Sequence, residues 1–380
     1  MSFTFASPPP SPAGETLRHE VREFLAAEIA TRTPEQRAES WNGFDAGFSR
    51  KLGQRGWIGM TWPKAYGGAE RSPLERYVVQ EEMLVAGAPV AAHWIADRQS
   101  GPALLRYGTE AQRQDILPRI AAGECFFCIG MSEPDSGSDL ASVRTRATQV
   151  QGGWIVNGSK LWTTLADKCH YMILFCRTGS VEDRQAGTSQ FLVDMSLPGI
   201  TIRPIRALTG EHHFNEVVFT DAFLPQGALL GTAGGGWDQV MGELAYERSG
   251  PERFLSSFAL LVELVRVIGQ DPSERAAIAV GRLVAHIATL RRMSRSVAGM
   301  LAAGTDPALQ AAMVKDLGAL VEQEIPQIAR QLVPPDPSDA DLRTYSAVLG
   351  YLTLHAPSFS LRGGTREILR GIIARGLGLR

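Results

Sequence analysis

The stretch Met131-Ser132-Glu133-Pro134-Asp135-Ser136-Gly137-Ser138-Asp139 decides how the rest of the chain is read. An apolar, strand-like run from Cys125 to Met131 feeds into it, and the turn itself is dense in hydroxyls and small residues. Backbone N–H groups and serine hydroxyls in such a turn can hydrogen-bond a polar heteroaromatic ring and nearby phosphates. Pro134 presets a turn, and Gly137 permits close approach or a φ that a side chain forbids. Standing alone, the segment is an ordinary surface loop of Ser, Asp and Gly.

Downstream comes Asn157-Gly158-Ser159-Lys160-Leu161-Trp162-Thr163-Thr164. Asn-Gly is a hairpin-turn signal, and the strand leaving it carries Trp162 followed by two hydroxyl residues. A tryptophan can stack on a flat ring while a threonine hydroxyl bonds its edge. Near the other end, Gly363-Gly364-Thr365-Arg366-Glu367-Ile368-Leu369-Arg370 is a glycine-rich turn opening a helix. In this order and at these separations the three motifs resemble the acyl-CoA dehydrogenase family. The resemblance covers nearly the whole chain, from Glu15 to Leu379.

At 380 residues the chain exceeds a typical single core, so two or three domains are expected. Hydrophobic content of 44% and charged content of 21% are ordinary for a globular protein. Basic and acidic residues nearly balance, 38 against 40, so neither a nucleic-acid surface nor an anionic-membrane surface is expected. No apolar run is long enough to span a bilayer. Residues 1–13 are Ser/Pro-rich without a basic residue, which reads as a disordered leader rather than a signal peptide or presequence. The cysteines Cys125, Cys128, Cys169 and Cys176 suggest a reducing, cytoplasmic setting. No second pair or spaced histidine completes a zinc site with Cys125 and Cys128, so they read as core thiols and no metal is expected.

Hydrophobic periodicity divides the remainder into three parts. Residues 14–123 read as helical, with Leu17, Val21, Phe24, Leu25 and Ile29 at helical spacing and Thr109 as an N-cap. Within them, Trp62-Pro63-Lys64-Ala65-Tyr66-Gly67-Gly68 reads as an aromatic loop packed under a domain. Residues 124–233 alternate in β-branched runs separated by turn signals at Gly152-Gly153, Asn157-Gly158, Pro198-Gly199 and Thr209-Gly210. Residues 234–380 return to helical stripes, one through Phe254, Phe258, Leu261, Val262 and Val265, another through Val280, Leu283, Val284, Ile287 and Leu290. The expected class is α+β: an N-terminal helical domain, a central β-barrel or sandwich domain, and a C-terminal helical bundle.

The resemblance implies a chemistry. A carboxylate removes the α-proton of an acyl-CoA thioester while the β-hydride passes to N5 of FAD. That α-proton is too weakly acidic for an ordinary carboxylate in water, so the site must stabilise the charge growing on the thioester oxygen. By resemblance a flavin ribityl hydroxyl and the backbone N–H of Gly363 hold that oxygen. Many family members carry the base as a Glu just before the Gly-Thr of the last motif, where this chain has Gly363. A smaller group carries it earlier in a Leu-x-x-Glu-Arg context, matched by Leu244-Ala245-Tyr246-Glu247-Arg248. Glu247 is therefore the expected base; read without the family, it is a helix-surface carboxylate beside Arg248. The resemblance further implies that Met131 and Ser132 contact the isoalloxazine, that Trp162 covers it, and that Thr164 bonds near N5. Ser138 falls where the family meets flavin or pantetheine, Arg248 lies on the substrate side, and Gly364 and Thr365 lie beside the flavin tail. Arg362 replaces the usual aromatic; a structural role, a CoA phosphate and a substrate carboxylate all suit it.

Two family features are missing. Arg266-Val267-Ile268-Gly269 stands where a homo-oligomeric member usually has Arg-x-x-Phe-Gly, and a lone Gly350 stands where it has Gln-x-x-Gly-Gly. In the family both segments hold the ADP half of the neighbouring subunit's FAD. The combination resembles bacterial α2β2 acyl-CoA dehydrogenases of steroid side-chain degradation, which implies a heterotetramer with a homologous subunit and a bulky, steroid-like acyl-CoA. Electron-transferring flavoprotein is the acceptor the family implies. The alternative readings are a non-catalytic or half-site structural subunit of such a heteromer, and a flavin oxidase on the same scaffold.

Overall fold

The computed structural model describes residues 4–6, 8–9, 12–248 and 250–379, with the backbone alone at 243–247. It forms two units by internal contacts. The first combines residues 1–45, 71–91 and 245–380. It holds α1 (Pro12–Glu28), α2 (Pro34–Glu39), α4 (Pro73–Ala86), α9 (Phe258–Ile268), α10 (Glu274–Ala302), α11 (Ala308–Leu332), α12 (Arg343–Phe359) and α13 (Arg366–Gly376). The second combines residues 46–70 and 92–244. Its helices are α3 (Ala46–Gln54), α5 (Ala91–Ile95), α6 (Gly101–Tyr107) and α7 (Glu110–Ala121); α8 (Gly236–Glu247) begins in this unit and ends in the first.

Helix starts follow local chemistry. Thr33, Ser72 and Thr109 each close a capping box onto Gln36, Glu75 and Gln112, satisfying N–H groups that a helix leaves orphaned. The periodic face of α1 buries Leu17, Val21, Phe24 and Leu25 as expected. The C-terminal stripes are only partly so. On α9 the buried face is Leu260, Leu261 and Leu264, while Val262 and Val265 stay 50% and 48% exposed. On α10, Leu283 and Leu290 are buried and Val284 is 52% exposed. An apolar run all round a helix cannot announce which side meets the core.

The first unit's core packs Leu260, Leu264, Val314, Ile325, Val348 and Leu352 from α9, α11 and α12. A charge network ties α1, α4 and α10 together beside it. Arg18 Nη1 donates to Glu81 at 2.9 Å and also to Glu82, and Arg291 Nε donates to Glu81 at 2.6 Å. Arg18, Glu81 and Glu82 are all buried. Burial pushes the Glu81 carboxyl up, but Arg291 and Arg18 outweigh it and hold the group below the ordinary glutamate value.

The second unit is built on one eight-stranded sheet, in the order β6-β7-β3-β2-β4-β5-β8 with β1 (Phe127–Gly130) pairing β4 (Tyr171–Arg177). The other strands are β2 (Arg146–Val150), β3 (Gly153–Thr164), β5 (Thr188–Asp194), β6 (Ile200–Ile205), β7 (Phe214–Pro225) and β8 (Leu229–Leu230). Pairing is antiparallel except β1 and β2 against β4. Val156, Met172, Leu174, Phe191, Val193, Val217 and Phe219 fill the core on one face. The Trp62 loop packs as expected: a Cβ on Gly101 would lie 2.1 Å from the buried Trp62 ring. Cys125, Cys128 and Cys176 are buried free thiols, and burial pushes Cys125 and Cys176 up to about 12.

Asn157-Gly158 is not a hairpin turn. β3 runs through it unbroken, with a register shift against β7 between Val156 and Gly158. Asn157 exchanges hydrogen bonds with Asp221, 2.9 Å each way, and Gly158 takes φ +142° where a Cβ would meet Thr145 at 2.6 Å. The dipeptide serves a β-bulge rather than a chain reversal.

Glu81→Gln is expected to cost roughly 1–3 kcal/mol: Arg18 keeps Glu82 and Arg291 is partly exposed, but a buried carboxylate that accepts from both is lost. Because the folded carboxyl titrates below its unfolded value of about 4.3, this stabilisation is present above that pH and is lost as pH falls through the folded value. Urea denaturation should therefore separate wild type from Glu81→Gln at neutral pH, with the gap closing in acid.

Candidate active site

In the second unit the decisive turn and β3 are locked to each other. Glu133 and Ser136 exchange backbone hydrogen bonds, Glu133 N to Ser136 O at 2.7 Å and the return at 3.2 Å, so Pro134 and Asp135 form the expected tight turn. The Glu133 side chain points back into the protein. It accepts from Arg144 N at 2.7 Å, Thr145 N at 2.9 Å and Lys160 Nζ at 2.7 Å. Lys160 has no exposed surface and also donates to Met131 O at 3.1 Å. Leu161 N completes the lock on Ser132 O at 2.8 Å. Burial pushes the Glu133 carboxyl up, yet Lys160 and the backbone donors bring it below the ordinary value; burial pulls Lys160 down, with Glu133 resisting. The geometry is that of an ion pair, the desolvation of which is opposed by mutual attraction and by hydrogen bonds from two backbone N–H groups and to one carbonyl.

The next two residues of β3 are displaced. Lys160 pairs Val217 and Thr163 pairs Asn215, so Leu161 and Trp162 stand opposite Glu216 alone. This bulge puts Trp162 at φ +61° with the residue 55% exposed and its ring edge-on to Phe214 at 6.0 Å. Met131 and Ser132 are half-buried just past β1, and Met131 packs against Val143, Phe175 and Val240. Thr164 is half-buried at the end of β3. The hydroxyls of Ser132 and Thr164 bond no other group among the described residues. An outward indole face flanked by uncommitted hydroxyls is a donor set that suits a flat heteroaromatic ring with polar edges. Ser138 lies exposed farther along the turn, outside this lock. Gly137 meets neither condition expected of it: its φ is not positive, and a Cβ there would touch nothing.

In the first unit, the turn between α12 and α13 carries Gly363 and Gly364 at φ +67° and +98°, which glycine alone adopts without strain. Thr365 caps α13 by accepting from Ile368 N. Buried Arg248 donates from Nε to Gly363 O at 3.1 Å. Arg362 is turned inward: its Nη2 lies 2.7 Å from Glu322 Oε2, 2.7 Å from Ser256 Oγ and 3.0 Å from Glu252 O. Its guanidinium sits 4.1 Å over Trp41 and 4.7 Å over Phe359. Burial lowers it to about 10, opposed by the fully buried Glu322. Of the tasks open to Arg362, the structure gives it the internal one. Glu247 is the last residue of α8, and its side chain lies outside the described residues.

Glu133, Lys160 and Glu322 were not singled out by sequence. A lysine in an alternating strand and a glutamate in a polar turn look like solvated residues, and nothing local pairs positions so far apart.

Comparison with known proteins matches each part of the chain to a family profile. Acyl-CoA dehydrogenase N-terminal, middle and C-terminal domains match residues 11–124, 128–222 and 234–378. The acyl-CoA dehydrogenase IpdE1 of Mycobacterium tuberculosis is 32% identical, over 96% of this chain and 97% of its own. FadE34 of the same organism is 31% identical over 86% of this chain, which spans only 45% of that protein. The solved structure of a Tcur3481-Tcur3483 steroid ACAD variant superposes with a TM-score of 0.85 at 26% identity, covering 97% of this chain and 99% of that one. No described helix is long and apolar enough to cross a membrane.

Lys160→Met is expected to destabilise the protein by roughly 3–5 kcal/mol, because the Glu133 charge stays buried without its counter-ion. Denaturant titration checks the stability, and flavin content of the purified protein should fall with it.

Proposed function

The chain belongs to the acyl-CoA dehydrogenase family, oxidoreductases acting on CH–CH bonds, and from that premise we propose that it performs the FAD-dependent α,β-dehydrogenation of a bulky acyl-CoA, of the steroid side-chain kind. The observation that carries this reading is the locked pair of β-unit segments presenting Trp162, Ser132 and Thr164 outward. FAD, when bound, takes up the β-hydride at N5 and passes electrons on to a carrier such as electron-transferring flavoprotein. The chain's own residues do the rest. Trp162, Met131, Ser132 and Thr164 would hold the ring, and Gly364 and Thr365 would hold its tail. Ser138 serves the acyl-CoA side, and Arg248, expected there too, is instead buried behind the turn with Nε on the Gly363 carbonyl. Glu247 takes the α-proton, and the Gly363 N–H donates to the thioester oxygen as charge develops there. The steroid class draws support from the likeness to the Tcur3481-Tcur3483 protein, a steroid ACAD.

That protein is named as a pair, and the missing trans segments of this chain fit a hetero-oligomer. Arg266 supports it: Nε donates to Glu263 at 2.8 Å and Nη2 lies 3.4 Å from Asp341 O, so the guanidinium is engaged within its own subunit. A homologous subunit would then supply the contacts to the ADP half of FAD.

Anaerobic mixing with CoA thioesters of straight-chain, branched and steroid side-chain acids should bleach the flavin with the bulky members fastest. Glu247→Gln should slow that bleaching roughly 10²–10⁴-fold at unchanged flavin content. Unchanged bleaching in the variant would leave a structural subunit as the better description. Tight stoichiometric FAD in the chain expressed alone as a homo-oligomer would overturn the hetero-oligomer.

A further inference from the structure

We propose that Arg362, braced by Glu322, and Arg248 are positioning residues that together aim the Gly363 N–H. The proposal rests on the reading of that N–H as a donor to the thioester oxygen. The N–H belongs to the peptide plane between the α-carbons of residues 362 and 363, and the chain is held on both sides of that plane. On one side, the Arg362 side chain is gripped through Nη2 by Glu322, Ser256 and the Glu252 carbonyl, and stacked on Trp41 and Phe359. On the other, Arg248 fixes the next carbonyl, that of Gly363, at 3.1 Å.

Glycines at φ +67° and +98° would otherwise be the freest residues of the turn. Glycine loses the most conformational entropy on ordering, so a turn of two of them needs external anchors to keep one direction. One buried and one largely buried cation, committed to backbone and to an internal carboxylate, are unfavourable for stability alone, since a buried ion pair seldom improves on packed apolar groups. They make sense where direction matters, because a donor helps only when it already points at the place where charge appears. Misplacement of about 1 Å can cost on the order of a hundredfold in rate.

The test uses the FAD-loaded enzyme, with its partner subunit where one co-purifies, and acetoacetyl-CoA as probe. Its α-carbon lies between two carbonyls, and it is small enough not to depend on the acyl pocket. The pH midpoint of its enolisation on the enzyme, read by absorbance, reports how strongly the thioester oxygen is held. Arg362→Gln should raise that midpoint by a unit or more and slow flavin reduction by substrate roughly 10–100-fold. Affinity for CoA itself should stay within about twofold, and Arg362→Lys should restore part of the midpoint. If Arg362→Gln does not fold, Arg248→Gln carries the same expectation from the peptide that follows. A wild-type midpoint that neither variant moves overturns the proposal alone. A wild-type enzyme that does not favour the enolate at all overturns the underlying reading, and this proposal with it.

Discussion

A lysine ammonium with no exposed surface is among the least favourable things a β-domain can contain, and this chain keeps one at Lys160. It persists because the Glu133 carboxylate meets it at 2.7 Å and because every neighbour contributes: Met131 O on the lysine, Arg144 N and Thr145 N on the carboxylate. That satisfied pair joins two segments which share no strand pairing at this point. It fixes the residues after β1 against the last third of β3, and β3 then bulges, so that Trp162 emerges with its face outward. Gly130 belongs to the same arrangement, since a Cβ there would lie 2.5 Å from Met172 Sδ and 3.2 Å from Lys160 Cγ. The exposed aromatic thus stands two residues beyond a buried charge.

The sequence made the elements legible wherever one local rule decided them. The capping box at Thr109, the buried stripe of α1, and the turns at Gly152, Gly199 and Gly210, all at positive φ, are each written in a few neighbouring residues. It misled where the same letters serve two geometries. Asn157-Gly158 has the composition of a hairpin turn, yet Asp221, far along the chain, captures the Asn side chain and turns the site into a bulge. On α9, valines on the outer face and leucines on the inner face give equal hydrophobicity, so only tertiary packing separates them. The candidate site shows the same limit. Trp162 and the serines could be named from motif order, but the Glu133–Lys160 pair is a long-range fact with no local signature.

The polar residues of both units fall into two groups once their bonds are followed. Glu133, Lys160, Arg248, Arg362 and Glu322 turn their donors and acceptors inside the protein and set direction. Ser132 and Thr164 keep their hydroxyls uncommitted among the described residues, and Trp162 keeps its ring outward. Internal partners identify the scaffold, and the residues that remain are the ones able to meet a ligand. Thr365 shows why the sorting matters: its hydroxyl caps α13, so its place beside a glycine turn is explained by helix geometry before any ligand is invoked.

The same sorting bears on subunit composition. Arg266 is bonded to Glu263 in the preceding turn and to the backbone of Asp341, so using it on a neighbouring subunit's phosphate would break bonds it already makes. On the same helix, Val262 and Val265 present apolar surface outward, which suits association. If the proposed hetero-oligomer forms, a helix with its cation already bonded to its own subunit is better matched to receiving a partner's contacts than to giving its own. In the proposed hetero-oligomer that asymmetry has a simple origin: each flavin needs one set of trans contacts, and a homologous subunit that supplies them frees this chain from keeping its own.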